Sequence, residues 1–363
     1  MKIVLAYSSK EGLLEEYLKR FAPSQSGINL PDDLLAEGDS ESTIQSILDN
    51  LALLGHQVFG VEANDHAAET LQSISPDLVF NIAEGLFGDF RESYIPLLCE
   101  RINIPYTGSD PLTLGLCLNK ARTKEILSFY NIPNASFQIL YPNTRYDLKF
   151  SHYPAIIKPI SEGSSKGIYN DSIVYDRQNA TDKIKKLHQQ YNQPVIIEKY
   201  LEGKEFTVAS WGNGSSIEIL PIVSIDYNDL PENANPIYSY EAKWIWDTPE
   251  KPLQIFHCPA KITFVEKTQI HKIIKRIWKV LNIRDWCRID IRMDNNGVPF
   301  VLEINPLPGI LPNPEDNSCF PKAARTAGYD YNAMIARILS IACKRLGLSD
   351  GSYHPKAKAT YSL

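Results

Sequence analysis

The sequence predicts an α/β protein of two or three domains. Three observations carry the prediction. Apolar runs of strand length alternate with stretches of helical periodicity from the first residues onward, as in an open parallel sheet. At 363 residues the chain exceeds what a single small core organises. Glycine-rich and acidic loops follow the strands, where doubly wound sheets place their ligands.

Taken in order, a strand over residues 2–8 opens the chain. Ile44, Ile47, Leu48, Leu51 and Leu54 mark one helical face, with Asp39 or Ser40 as cap and Gly55 just past the end. Strands are expected over 57–61 and 77–81, the second running into the loop 81–89, and a helix over 92–101. The Ser/Gly/Pro-containing segment 8–39 has no clear pattern beyond a short helix over 13–20. A second unit follows, with a helix over 121–130, strands over 136–140, 155–158 and 173–175, a helix over 177–190 and a strand over 195–199. The remainder holds strands over 206–211 and 217–223, a helix over 264–281, a hairpin over 285–305, a helix over 331–346 and a frayed polar tail after Gly351. The expected domains are 1–117, 118–201 and 202–363.

Composition narrows the function classes. With 44% hydrophobic and 22% charged residues and no apolar run of about 18 residues, no membrane span is expected. Met1-Lys2 leads straight into the first strand, which is too short for a secretory apolar region. Six scattered cysteines without CxxC spacing fit a reduced, cytoplasmic protein. A net charge of −6 without a basic block argues against a nucleic-acid partner.

The hairpin carries the strongest chemical signal. Two alternating runs, 287–293 and 298–304, flank Asn296-Gly297, the dipeptide favoured in two-residue hairpin turns. With those two as the loop, cross-strand partners sum to about 593, so Asp290 faces Glu303 and Arg288 faces Asn305 on one side of the ribbon. Ile289, Ile291, Leu302 and Ile304 would be buried on the other. Two opposed carboxylates repel unless a cation intervenes, and the oxygen donors of Asp, Glu and Asn suit Mg²⁺. The alternative is a solvated surface hairpin.

Other residues invite an anion. The loop 161–167, SEGSSKG, can present backbone N–H groups and the Ser164 and Ser165 hydroxyls to phosphate oxygens, or can be a plain surface turn; the Walker spacing is absent. Lys158 ends the apolar strand PAIIK, where it either meets a phosphate or snorkels out. Lys120 opens a helix against the macrodipole and calls for an anion. The strand end Glu198-Lys199-Tyr200-Leu201 could offer backbone groups to a flat base at an interdomain hinge.

Several blocks in the same order give these signals a family. IPYTGSDPLTLGLCLNKARTK, IIKPISEGSSKG, EKYLEGKEFTV, YSYEAK, CRIDIR, VLEINPLPG and SCFPKAARTAGYDY resemble the ATP-grasp carboxylate-amine ligases, and within them the D-alanine–D-alanine ligases, from Asn81 onward. The resemblance implies an ATP-grasp architecture of three α/β domains with ATP clasped between the central and C-terminal ones. It also implies that Lys120, Lys158 and Lys243 reach phosphates, under a cover formed by Ser164 and Ser165. Glu198, Lys199 and Leu201 would meet adenine, and Glu205 the ribose. Asp290, Glu303 and Asn305 would hold Mg²⁺, or Mn²⁺ in its place. Arg288 and the backbone at Gly309 would polarise the tetrahedral intermediate, while Ser318 would bind a substrate carboxylate. The implied chemistry is phosphorylation of a carboxylate to an acylphosphate and its capture by an amine, on small amino-acid or carboxylic-acid substrates; a homodimer is compatible with it.

The departures lie on the side that reads the amino acid. Tyr7-Ser8-Ser9-Lys10-Glu11-Gly12 replaces the family's Gly-Gly-x-Ser-x-Glu start, and Asn81 to Asp89 replaces its His-Gly-x-x-Gly-Glu-Asp stretch. The segment 310–317 is a few residues longer than usual. Trp244 stands where a tyrosine usually bonds the loop serine matching Ser164, in a set completed by an N-terminal glutamate. The expected function is therefore an ATP-dependent amino-acid ligase with a substrate other than two D-alanines. The alternatives are a divergent D-alanine–D-alanine ligase and a non-catalytic nucleotide-binding protein.

Overall fold

The computed structural model describes residues 1–21, 31–142, 147–248 and 250–349. The expected frayed tail after Gly351 lies outside them.

Strand β1 (Lys2–Tyr7) is the middle of a three-stranded parallel sheet between β2 (Gln57–Glu62) and β3 (Leu78–Asn81). Ile3 to Ala6 are fully buried, which is why this strand reads as an unbroken apolar run rather than an alternating one. Helix α1 (Lys10–Phe21) follows, then α2 (Glu41–Leu53), α3 (Ala67–Ile74), α4 (Tyr94–Ile102) and α5 (Pro111–Leu118). Of the two candidate caps for α2, Ser40 is the one used: its Oγ accepts the Thr43 N–H, while Asp39 turns back to accept the Ser8 N–H. Helices α3 and α5 went unread in the sequence, although Asp110 capping Thr113 with Pro111 in the first turn is a legible start signal for α5.

The second sheet is antiparallel, in the order β4 (Phe137–Leu140), β7 (Val195–Lys199), β5 (Ala155–Pro159), β6 (Ile173–Val174). It is backed by α7 (Arg177–Tyr191), with α6 (Lys120–Phe129) leading into it. The third sheet runs β11 (Phe256–His257), β10 (Val223–Ile225), β8 (Glu205–Asn213), β12 (Asp285–Met293), β13 (Pro299–Asn305), with β9 (Ser216–Ile219) beside β8. The single strand expected over 217–223 is two, interrupted around Pro221, which has no N–H to give a ladder. Helix α8 (Phe264–Val280) starts with a capping box, Thr263 with Glu266, and buries Ile270, Ile273, Ile274, Ile277 and Trp278 against Ile289, Ile291 and Ile304 of the hairpin. Each such side chain contributes about 1.5–3 kcal/mol, so an aspartate at Ile277 would undo the packing. Helices α9 (Cys319–Thr326) and α10 (Tyr331–Leu346) complete the chain.

One core joins the first and third sheets: Ile3, Leu5 and Phe80 belong to the same cluster as Trp211, Trp286, Phe320 and Met334. The N-terminal and C-terminal parts are therefore packed as one body at that seam. None of the described helices is long and apolar enough to cross a membrane.

The hairpin register holds where it matters and fails where it was derived. Arg288 faces Asn305 and Asp290 faces Glu303, as expected. The turn, however, is not two residues long: Met293 pairs with Pro299, Asp294 N–H donates to Val298 O, and Gly297 N–H donates to Asp294 O with Gly297 in the left-handed region. The loop is thus Asn295-Asn296-Gly297, which shifts the register by one, and a bulge at Leu302 shifts it back. Leu302 pays for that by staying half-exposed instead of joining Ile289, Ile291 and Ile304 in the core.

Candidate active site

The cleft between the second and third sheets gathers most of the residues singled out above. Lys158, at the end of β5, is buried with its Nζ 2.6 Å from Glu198 Oε1, and Lys124, one turn into α6, holds Glu198 Oε2 at 2.7 Å. Burial alone would raise the Glu198 carboxyl, but the two ammonium groups outweigh it and hold the group at about 2. The same carboxylate keeps Lys158 charged against burial, whereas Lys124 is pushed below its ordinary range by burial that Glu198 only partly offsets. Lys158 therefore does not snorkel. Nor does the Glu198 side chain turn outward to a base; any such contact falls to the backbone of the strand end, where Lys199 is exposed and Leu201 buried.

Lys120, first residue of α6, reaches Glu303 Oε1 at 2.7 Å and donates to Glu162 O. Burial raises the Glu303 carboxyl, yet Lys120 and Lys158 bring it below its usual range. Beside it, Asp290 accepts the Thr207 hydroxyl (2.6 Å), Arg288 Nε and Nη2 (3.1 and 3.0 Å) and Asn305 Nδ2 (3.2 Å). The repulsion expected between the two carboxylates is thus met by protein cations, Arg288 on one and Lys120 on the other. Glu303 Oε2 and Asn305 Oδ1 take no hydrogen bond from the described residues, so with Asp290 the face presents hard oxygen donors that fit Mg²⁺.

Above this face lies the loop 161–167. Ser164 and Ser165 both have positive φ, 48° and 63°, a conformation that costs a non-glycine residue of order 1–3 kcal/mol. Neither N–H is taken by a described residue, so both are open to an acceptor such as a phosphate oxygen. The loop is pinned here, Ser165 Oγ donating to Tyr238 O (2.9 Å) and Trp244 Nε1 donating to Ser164 O (3.1 Å). Trp244 lies in a π-helical turn, Ala242–Trp246, with the ammonium groups of Lys243 and Lys10 5.5 and 5.8 Å from its ring centroid.

The remaining predicted residues divide. Burial and then the Arg288 charge push Lys243 below its ordinary range. Ser318 donates to Gly309 O (3.1 Å) and accepts the Leu311 N–H (3.3 Å), closing the 309–318 loop, and a Cβ at Gly309 would meet nothing. Glu205 is already paired with Arg292 at 2.7 Å, a partner the sequence did not suggest.

Three groups of residues were missed. Lys124 was legible: it stands four residues after Lys120 on the same helix. Glu84 and Glu92 lie in and after the loop replacing the family's His-Gly stretch. Burial first, then neighbouring carboxylates, lifts Glu84 well above the usual range; burial lifts Glu92 to about 7, a value suited to proton transfer near neutral pH. Asp33 and Glu37, in the unread segment, carried no local signal at all.

The family described as D-ala D-ala ligase C-terminus matches residues 133–340. The chain belongs to the D-alanine–D-alanine ligase family. With the family come the ATP-grasp fold and ATP-dependent formation of a carbon–nitrogen bond. Among relatives, a D-alanine--D-alanine ligase of Actinobacillus succinogenes is 30% identical over 82% of this chain and 90% of its own. An uncharacterized protein, y4sG, of Sinorhizobium fredii is 32% identical over 83% of this chain and 87% of its own. The crystal structure of D-alanine--D-alanine ligase from Bacillus anthracis complexed with ATP superposes with a TM-score of 0.70 at 19% identity, covering 95% of this chain and 98% of that one, which bears on the fold alone.

Proposed function

We propose that this D-alanine–D-alanine ligase homologue activates a carboxylate other than that of D-alanine and joins it to an amine. The observation that carries the ligase chemistry is the meeting of three lysines, an oxygen-donor face and an unused pair of N–H groups across one cleft. Lys120 and Lys158 neutralise phosphate oxygens; the N–H groups of Ser164 and Ser165 hold the phosphoryl group being transferred. Asp290, Glu303 and Asn305 would hold Mg²⁺, which would supply positive charge to the phosphoryl group being transferred. Lys199 and Leu201 border the base, with Glu205 toward the sugar. Arg288 and the Gly309 N–H polarise the carbonyl under attack, Lys243 adds positive charge, and Ser318 fixes the loop that carries Gly309.

The substrate difference rests on Trp244. Its indole donates to the main-chain carbonyl of Ser164 and has nothing with which to accept, so the Ser164 hydroxyl is left without the tyrosine partner that the family pattern supplies. A site built on hydrogen bonds rejects ligands that leave them unmade, so a changed set selects a changed ligand. Purified protein assayed with MgATP against a panel of amino acids and small carboxylic acids should release little ADP with D-alanine alone and much more with another acid, the product mass then naming the pair. Efficient D-alanyl-D-alanine synthesis at millimolar D-alanine would overturn the substrate reading, and no ADP with any acid would overturn the ligase reading.

A further inference from the structure

Residues 31–39, just ahead of α2, reach the loop 161–167. Residues 31–39 form successive turns, Leu34 N–H to Pro31 O, Ala36 N–H to Asp33 O and Gly38 N–H to Leu35 O, and are anchored to the end of β1 by Asp39 N–H to Ser8 O (2.7 Å). Two carboxylates four residues apart, Asp33 and Glu37, are buried on its inner side. Glu37 Oε1 accepts the Gly163 N–H (2.8 Å), Oε2 faces Lys166 Nζ (3.2 Å), and Arg91 Nη2 lies 2.9 and 3.0 Å from the two oxygens. Arg91 Nη1 also donates to Ser161 O (2.8 Å). Asp33 accepts the Gly167 N–H (3.3 Å) and the hydroxyls of Tyr169 and Tyr191. The two acids thus hold the loop at Gly163 and Gly167. Between those points lie Ser164 and Ser165, strained and with unused N–H groups.

We infer that Glu37, held by Arg91, is a positioning residue that latches the loop 161–167 shut over the cleft, with Asp33 as the second catch. The inference rests on the ligase reading above. Its chemical purpose is exclusion: a mixed carboxylic–phosphoric anhydride is lost to water unless the cleft stays closed until the amine attacks. The latch takes none of the donors that face the phosphate. It occupies the N–H groups on either side of them, so closure and phosphate binding are compatible, and release of the latch opens the route for nucleotide exchange.

Gly163 offers a way to break the latch from the other side. A Cβ there would stand 2.5 Å from Glu37 Oε1, at the far end of a side chain that can move, and φ at Gly163 is not in the left-handed region. Gly163→Ala therefore displaces Glu37 without removing its charge or its arginine. Wild type, Glu37→Gln and Gly163→Ala are digested with trypsin, and the cut between Lys166 and Gly167 is timed by mass spectrometry, with and without the non-hydrolysable analogue AMP-PNP and Mg²⁺. The expected result is a cut roughly tenfold or more faster in both variants, with nucleotide protection weakened while nucleotide binding persists. With the acid and amine identified by the panel, both variants should also release more ADP per amide formed than wild type. Equal cutting in all three proteins, or unchanged coupling in both variants, overturns the latch. A latch effect on cutting without ADP release from any acid would instead overturn the ligase reading and leave the latch standing.

Discussion

Asp285 and Glu37 are both buried carboxylates held by one arginine, and they do opposite jobs. Asp285 opens β12 with φ of 61° and accepts Asn213 Nδ2 (2.9 Å), Arg345 Nε and Nη2 (2.9 and 2.7 Å) and the Gly108 N–H (2.8 Å). Its partners sit on β8, on α10 and just ahead of α5, around a seam packed with Trp211, Trp286 and Phe320. Glu37 has the same chemistry, but its partners lie on a loop and its own segment is made of turns. A hydrogen-bonded ion pair between packed elements welds them, because neither side can move without opening a core. Between irregular segments the same pair can open and close.

The largest effect expected from that contrast is on stability. Asp285→Ala leaves Arg345 with the Tyr106 carbonyl alone and the Gly108 N–H without its acceptor, and should cost about 3–5 kcal/mol in urea unfolding, the usual result of breaking a buried pair. Glu37→Gln should cost clearly less; equal losses would erase the distinction between weld and latch.

The rigid side also carries Asp290 and Glu303, the residues proposed to hold the metal, so its chemistry should be lost without its fold. Asp290→Asn or Glu303→Gln should lower Mg²⁺-dependent turnover on the order of 10²–10³-fold while the protein stays folded and loses less stability than Asp285→Ala does. Near-normal turnover in both variants at ordinary Mg²⁺ would remove the metal assignment.

Glu198 tests a third, intermediate environment, a carboxylate on a strand that faces the cleft. Its folded value of about 2 lies below the ordinary 4.5, so its contribution is present above about 4.5 and is lost as pH falls toward 2. Glu198→Gln should therefore flatten the acid limb of a melting-temperature profile between about pH 5 and 2, by no more than a few kcal/mol in equivalent stability. An acid limb of unchanged slope would mean that the lysine pairs do not set the carboxyl's titration.

Local patterns made much of this protein legible. Period-two alternation in 287–293 and 298–304 is imposed by the pleat, so the strands, their buried face and the facing of Asp290 to Glu303 could be read directly. Lys158 and Lys120 were legible as cations in positions that call for an anion; what the sequence could not say is that Glu198 and Glu303 stand beside them as carboxylate partners. The turn shows where such reading stops. The three-residue loop shifts the register by one and the bulge at Leu302 shifts it back, and neither is written in the alternation, because loop length and bulges depend on what the hairpin packs against rather than on its own residues.

Sequence by itself determined the α/β class, the hairpin that sets Asp290 opposite Glu303 and the family, since each is written in local periodicity or in contiguous motifs. Only the tertiary structure decided that Lys124 joins Lys158 on one carboxylate, that Trp244 serves a main-chain carbonyl, and that Asp33 and Glu37 close the loop from over 100 residues away. Residues 31–39 have neither helical nor strand periodicity, and their partners share no sequence neighbourhood with them. A contact of that kind comes into being only when separate elements are brought together by burial, and nothing local has to encode it.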